Sequence, residues 1–296
     1  MTEVAASDQL LVVIDPVARR TDGESVRIAK DVLSAGAATK VCLPEGPEEF
    51  ARALIRRGAR RPVVIGDDGA LLRAVSLLHR QRELAACALS FVPVGGVLSL
   101  SRSLGVPMGA VAAARAVLDG AERRMDLLVD DSDGVVLGAL RIPSLPSRPP
   151  APVGAGAPGE AGAHPWLRTC QSLVRTLASR PSRLAPGPGP GPSRLRIEVD
   201  GVCVVDLDQP VETVSVTPGA SGTGAEIEVR SVSVGAEASP LRLVGHKVTI
   251  SGADFRYRAD SVVAGPVRTR TWTLRESAWG LTLPTTRSPA RDSGTR

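Results

Sequence analysis

Hydrophobic positions follow two different rhythms along this chain. In the first 125 residues, short continuous apolar runs alternate with stretches of helical period. Residues 10–15 (Leu-Leu-Val-Val-Ile-Asp) read as a strand buried on both faces, stopped by Pro16. A helix is expected from about Gly23 to Ala35, with Val26, Ile28, Ala29, Val32 and Leu33 on its apolar side, then a short strand over Thr39–Leu43. Pro47, with Glu48 and Glu49 behind it, suits a helix start, and Gly58 suits its end. Val63–Ile65 and Ala88–Val92 read as further strands, with helices over Leu71–His79 and Met108–Leu118. Strands alternating with helices in this way predict a parallel sheet with helices on its faces.

The rhythm changes after Met125. Short strands are expected at Asp126–Val129 and Gly134–Gly138. Residues 143–163 are rich in Pro, Gly and Ala, as is 186–192, and both read as flexible, with a short helix between them at Trp166–Leu177. From Leu195 onward apolar residues alternate with polar ones, and Asp200-Gly201 is a hairpin signal. Strands follow at Val211–Val216, Glu226–Val229, Leu241–Val244, Val248–Ile250, Phe255–Arg258 and Val267–Leu274, the pattern of a β-sandwich or barrel. The expected organisation is an α/β nucleotide-binding domain over 1–125, to which a segment near 265–284 is a candidate to return. An all-β sandwich over 126–264 carries the Pro/Gly-rich stretch 143–193, and 285–296 is a disordered tail.

Composition narrows the function classes. Aromatic residues are only 2%, so the core must be aliphatic. The net charge is +5, carried almost wholly by arginine, and no basic stripe is interleaved with aromatics, which argues against a nucleic-acid partner. Scattered arginines remain suited to phosphates or to an anionic membrane surface. Cys42, Cys87, Cys170 and Cys203 have no C-x-x-C spacing, which argues against a zinc site, and three histidines leave little material for a histidine-based centre. The N-terminus has no basic leader and no apolar run is long enough for a span, so a cytoplasmic location is expected.

Two glycine turns carry the candidate chemistry. Gly66-Asp67-Asp68-Gly69-Ala70 follows one apolar strand, and Pro93-Val94-Gly95-Gly96-Val97-Leu98-Ser99-Leu100-Ser101-Arg102 follows another. Glycine there lets backbone N–H groups approach a phosphate. Taken singly, each reads equally as an ordinary strand-to-helix turn.

Together they resemble the diacylglycerol kinase catalytic family, within the superfamily that also holds NAD kinase and sphingosine kinases. Members carry Gly-Gly-Asp-Gly-Thr, then Pro-x-Gly-Thr-x-Asn-Asp-Phe-Ala-Arg followed by Leu-Gly-Ile-Pro. Gly66, Asp68 and Gly69 match the first motif; Pro93, Gly95, Arg102, Leu104, Gly105 and Pro107 match the second in register. Asp15-Pro16 is similar to the family's strand-end Asn-Pro, Arg124-Met125-Asp126 to its Arg-x-Ile-Asp, and Asp260 to the first residue of its Asp-Gly-Glu.

The resemblance implies a two-domain fold whose cleft takes ATP, Mg2+ and a lipid alcohol. It also implies transfer of the γ-phosphoryl group to a lipid hydroxyl; the scattered arginines leave peripheral contact with the inner membrane surface as an option. The implied nucleotide-binding residues are Asp15, Pro16, Gly66, Asp68, Gly69, Gly95 and Arg102. Asp260 is the implied catalytic base, with a solvated turn aspartate as the competing reading. Asp126 supports the site by orienting water or metal, or is an exposed residue at a strand start.

The departures fall on polar side chains. Asp67 stands for a glycine and Ala70 for a threonine of the first motif; Gly96, Leu98, Ser99 and Ser101 replace Thr, Asn, Asp and Ala of the second; Ser261-Val262 replaces Gly-Glu. Three readings follow: a divergent lipid kinase, an inactive relative that keeps its cleft for a ligand or partner, and, with least support, an NAD kinase-like enzyme. The metal ligands and the oligomeric state, a dimer included, stay open at this stage.

Overall fold

Strands β1 (Gln9–Ile14), β3 (Arg61–Gly66) and β4 (Ala88–Pro93) are buried at every position after the first, as their unbroken apolar runs require. With β2 (Ala38–Cys42) they form a parallel sheet in the order β4-β3-β1-β2. The pleat divides each strand between two cores. Leu10, Val12 and Ile14 of β1, with Val63 and Ile65 of β3, join the core that receives Val26, Ala29 and Leu33 of α2 (Gly23–Gly36) and Ala113, Ala114 and Val117 of α6 (Ala110–Asp119). Leu11, Val13 and Val64 face the core filled by Phe50 and Leu54 of α3 (Pro47–Ile55) and by Leu71, Val75 and Leu78 of α4 (Asp68–Arg80). Helices therefore cover both faces.

The computed structural model describes residues 9–144, 192–219, 222–232 and 239–285, all within one compact unit. The readings made for 145–191, including the Trp166–Leu177 helix, and for the tail beyond 285 lie outside the described residues.

The second region is largely β. Strands β6 (Val135–Val136), β7 (Leu140–Ile142), β8 (Ser193–Val199), β9 (Val202–Val205), β10 (Pro210–Thr217), β11 (Ala225–Ser231) and β12 (Leu241–Gly245) lead to β13 (Lys247–Ala259) and β14 (Val262–Leu283). Pairings β10–β7, β7–β13, β13–β8 and β8–β10 close a ring around a core of aliphatic residues such as Ile197, Val214 and Ile250 together with the aromatic Phe255, Tyr257 and Trp272. This core is thus not the purely aliphatic one expected from the composition. The α/β-then-β class expected from the sequence is the one observed.

Two long strands join the regions. β5 (Ala121–Asp130) and β14 pair antiparallel, with a register shift between Arg275 and Trp279. β14 places Trp272 and Leu274 in the β core; its far end then pairs parallel with β4 at Gly280–Leu281 and places Trp279, Leu281 and Leu283 in the α/β core. A buried Ser90–Thr282 hydroxyl bond of 2.9 Å fastens that junction.

Three local readings are corrected. Asp15-Pro16 does not simply stop β1: Asp15 caps a short helix α1 (Pro16–Thr21), accepting from Val17 N at 2.8 Å, with Pro16 at its first position. The strand expected to start at Asp126 starts at Ala121, and the separate strands at 248–250 and 255–258 are one, interrupted by bulges. Trp279→Ala is expected to cost about 3–5 kcal/mol in urea unfolding, since a fully buried ring is lost where β14 closes the α/β core.

Candidate functional site

Both glycine turns lie at the carboxyl ends of parallel strands, where ligands of such sheets bind. Gly66 ends β3 against β1: a Cβ there would lie 2.5 Å from Ala70 Cβ and 3.0 Å from Asp15 Cβ, so only glycine fits. Gly95 has φ +124°, a conformation reserved for glycine, and faces Asp67. The backbone frame expected from the sequence is therefore in place.

The side chains around it are turned to other work. Asp67 is the N-cap of α4, and its carboxylate accepts from Ala70 N at 3.0 Å. Gly69 lies beside that same carboxylate: a Cβ on it would meet Asp67 Oδ1 at 3.2 Å. Asp68, 2% exposed, crosses to the second turn. Its Oδ1 accepts from Ser101 N at 2.9 Å and Ser101 Oγ at 2.6 Å, and its Oδ2 from Leu100 N at 2.8 Å and Ser99 Oγ at 3.4 Å. These donors sit in the single turn α5 (Ser99–Ser103), whose N-cap Leu98 has no polar side chain to offer. Asp15, 1% exposed, pairs with Arg73 of α4, which also lies 5.8 Å over the Phe50 ring. Arg102 is exposed on α5 and has no side-chain partner among the described residues.

Asp260 is brought to the same neighbourhood. It occupies the two-residue turn between β13 and β14 at φ 52°, and its amide donates to Ala139 O. Its carboxylate accepts three backbone N–H groups: Leu137 at 2.9 Å on Oδ2, and Gly138 at 2.7 Å and Ala139 at 2.9 Å on Oδ1. Burial pushes its carboxyl above the usual range; the three N–H groups pull it down, and the nearby Asp68 charge adds to the rise. Gly138 is wedged between Leu100 and Asp260, so contact runs from Asp68 through α5 and the 137–139 loop to Asp260. Val262, where the resemblance implies an acid, is 57% exposed and apolar.

Asp126 is not the exposed strand-start residue that was one reading of it. It sits inside β5, 6% exposed, because β14 bulges over it. Its Oδ1 accepts from Ser277 N at 2.7 Å, while Arg124 Nη2 and Nε donate to Ser277 O at 2.6 and 3.1 Å. The Arg-x-x pattern at 124–126 thus clamps the bulge from both sides. Its Oδ2 is buried with no hydrogen-bond partner among the described residues.

Sequence reasoning missed Arg73, Ser99 and Ser101 as partners of the motif aspartates. Only the clustering of small polar residues at 99–103 hinted at the last two. Among the described residues, no three His, Cys, Asp or Glu side chains converge as a metal cluster, and no helix is long and apolar enough to cross a membrane.

An α/β sheet with glycine turns at its strand ends, backed by a β region that returns a strand to it, defines a two-part α/β-then-β fold. Residues 9–129 match the family described as diacylglycerol kinase catalytic domain. Solved structures agree over nearly the whole length. A proposed diacylglycerol kinase from Bacillus anthracis str. Sterne is 14% identical with TM-score 0.64, covering 94% of this chain and 98% of its own. A second structure, described as a diacylglycerol kinase from the same organism, is 13% identical with TM-score 0.64, covering 94% and 97%. At such identities the likeness is one of fold. Comparison with curated proteins gives no match.

Asp68→Ala is expected to cost about 3 kcal/mol or more in urea unfolding, because it strands the buried donors of Leu100 and Ser101. An Asp68 that only awaited a metal would leave stability unchanged or raised on removal.

Proposed function

We propose that this protein is a catalytically inactive member of the diacylglycerol kinase fold that keeps its cleft for binding a ligand or partner. The observation that carries this reading is the hydrogen bonding of Asp67 and Asp68. A nucleotide triphosphate needs unpaired backbone N–H groups and helix N-termini. Here the carboxylate of Asp67 takes the Ala70 N–H, and that of Asp68 takes those of Leu100 and Ser101. With Asp15, three carboxylates stand at the two turns; Arg73 is paired with Asp15, and Arg102 on α5 is exposed. A polyanion entering there meets the carboxylates of Asp67 and Asp68 at the amides they already hold.

The fit to Mg2+ fails for a related reason. A phosphate-bridging Mg2+ is held through one or two carboxylates together with the phosphates themselves. Both oxygens of Asp68 are engaged by protein donors, position 99 is serine, and position 262 is valine. The residues present do not fit ATP with Mg2+, and no phosphoryl-transfer step is built on them. Asp260 serves in this reading as a positioning residue for the 137–139 loop, and Asp126 as a clamp on β14. A lipid alcohol is the ligand that the family match suggests, and the scattered arginines suit an anionic membrane surface.

The test is transfer of labelled phosphate from Mg-ATP to diacylglycerol and a panel of other lipid alcohols. No incorporation above a protein-free blank is expected. Incorporation that Asp260→Asn abolishes would overturn the reading and restore the kinase assignment.

A further inference from the structure

A cavity of about 380 Å³ lies at the edge of the parallel sheet, between β2 and α3. Such a volume suits a small molecule. β2 is the last strand of the sheet, and its register sets Lys40 beside Leu11 of β1. Lys40 and Cys42, two positions apart, share the face of β2 that meets α3. α3 commits Phe50 and Leu54 to the core, which leaves Arg52, Ala53 and the C-cap Arg56 to the cavity. Leu11, Cys42 and Ala53 give it an apolar floor.

The charge around that floor is one-sided. Arg52 and Arg56, four positions apart, are neighbours on the helix surface, where like charges repel. Lys40 adds a third cation from the strand. Glu49 is the one carboxylate in the lining; Arg52 Nη2 stands 3.8 Å from its Oε1, and its Oε2 accepts from Glu45 N at 2.9 Å. Lys40 and Arg56 have no side-chain partner among the described residues. By contrast Arg19, Arg27 and Arg57 of the same region each have a carboxylate. Three cations against one carboxylate leave two positive charges around an apolar hollow. The site is also separate from the glycine turns. A helix joining parallel strands runs back from their carboxyl ends, so Arg52 and Arg56, in the last part of α3, lie away from the strand tips that carry those turns.

We propose that this cavity binds a small soluble phosphate monoester, its dianionic group held by Lys40, Arg52 and Arg56 and its organic body on the apolar floor. Guanidinium groups match phosphate oxygens in pairs, and a dianion balances the two excess charges where a carboxylate balances one. The proposal makes no use of the glycine turns and is independent of whether the protein transfers phosphate.

The test follows alkylation of the full chain by N-ethylmaleimide, with the Cys42 and Cys203 peptides measured by mass spectrometry. Cys42 is half-buried in the cavity; Cys203 is exposed on β9 and serves as the control. Saturating phenyl phosphate, dianionic at about pH 7.5, is expected to slow alkylation of Cys42 about fivefold or more and to leave Cys203 unchanged. Benzoate should need about tenfold higher concentration for the same protection, and benzyl alcohol should give none. Arg56→Gln should raise the half-protecting concentration about threefold or more, as should added salt. Glu49→Gln, whose amide oxygen still accepts from Glu45 N, should lower it. Absent protection, equal protection of both cysteines, or equal protection by benzyl alcohol would each overturn the proposal. So would unchanged protection in an Arg56→Gln protein with wild-type unfolding, or protection by phosphatidate vesicles where phenyl phosphate gives none. Should Arg56→Gln not fold, Lys40→Gln makes the same test from β2. Phosphate transfer found in the lipid assay would leave this result standing, and failure here would leave the inactive reading standing.

Discussion

The carboxylate of Asp68 accepts from α5 through both of its oxygens and is shut away from solvent. Much of the site follows from this contact. It fixes the second glycine turn against the first, holds α5 at the mouth of the parallel sheet, and sets Leu100 against Gly138. Gly138 in turn is tied to Asp260 at the β13–β14 turn. Breaking the contact leaves donors unpaired in a place that water cannot reach, which is why it outweighs any surface ion pair in the molecule.

In the inactive reading proposed above, the same contact decides what the site can hold. A phosphate cradle works because donors are preorganised and unpaired. Here each nearby helix start has its own carboxylate: Asp15 for α1, Asp67 for α4, and Asp68 for α5. Serines at 99 and 101 complete the arrangement by giving Asp68 hydroxyl donors, so the changes in the two motifs support one another. Asp260 follows a pattern seen elsewhere in the chain. Asp200, in the β8–β9 turn at φ 50°, likewise accepts backbone N–H groups from the neighbouring strand, at His246 and Lys247. Two hairpin aspartates in the same backbone conformation bind main chain in the same way, one beside the cleft and one far from it in sequence.

The parallel sheet was legible because a strand buried on both faces has to be apolar throughout, as β1, β3 and β4 are. Glycines 66 and 95 were legible because backbone geometry demands them. Helix α1 was not read, although Asp followed by Pro is a start signal as well as a stop for the strand. The length of β14 was hidden by exposed Arg268 and Arg275 and half-buried Arg270, which interrupt its apolar alternation while its backbone stays paired. The burial of Asp126 could not be read locally at all. It depends on a bulge at Ser277, 151 residues away in sequence. What was legible of the site was its frame, and what was not was the partner each polar side chain had found.

Backbone amide NMR of the labelled protein during titration with millimolar Mg-ATP tests the central claim most directly. The amides of Ala70, Leu100 and Ser101, held by Asp67 and Asp68, are predicted to keep their shifts throughout. Saturable shifts at these amides and at the two glycine turns would mean that phosphate displaces the carboxylates, and would contradict the account.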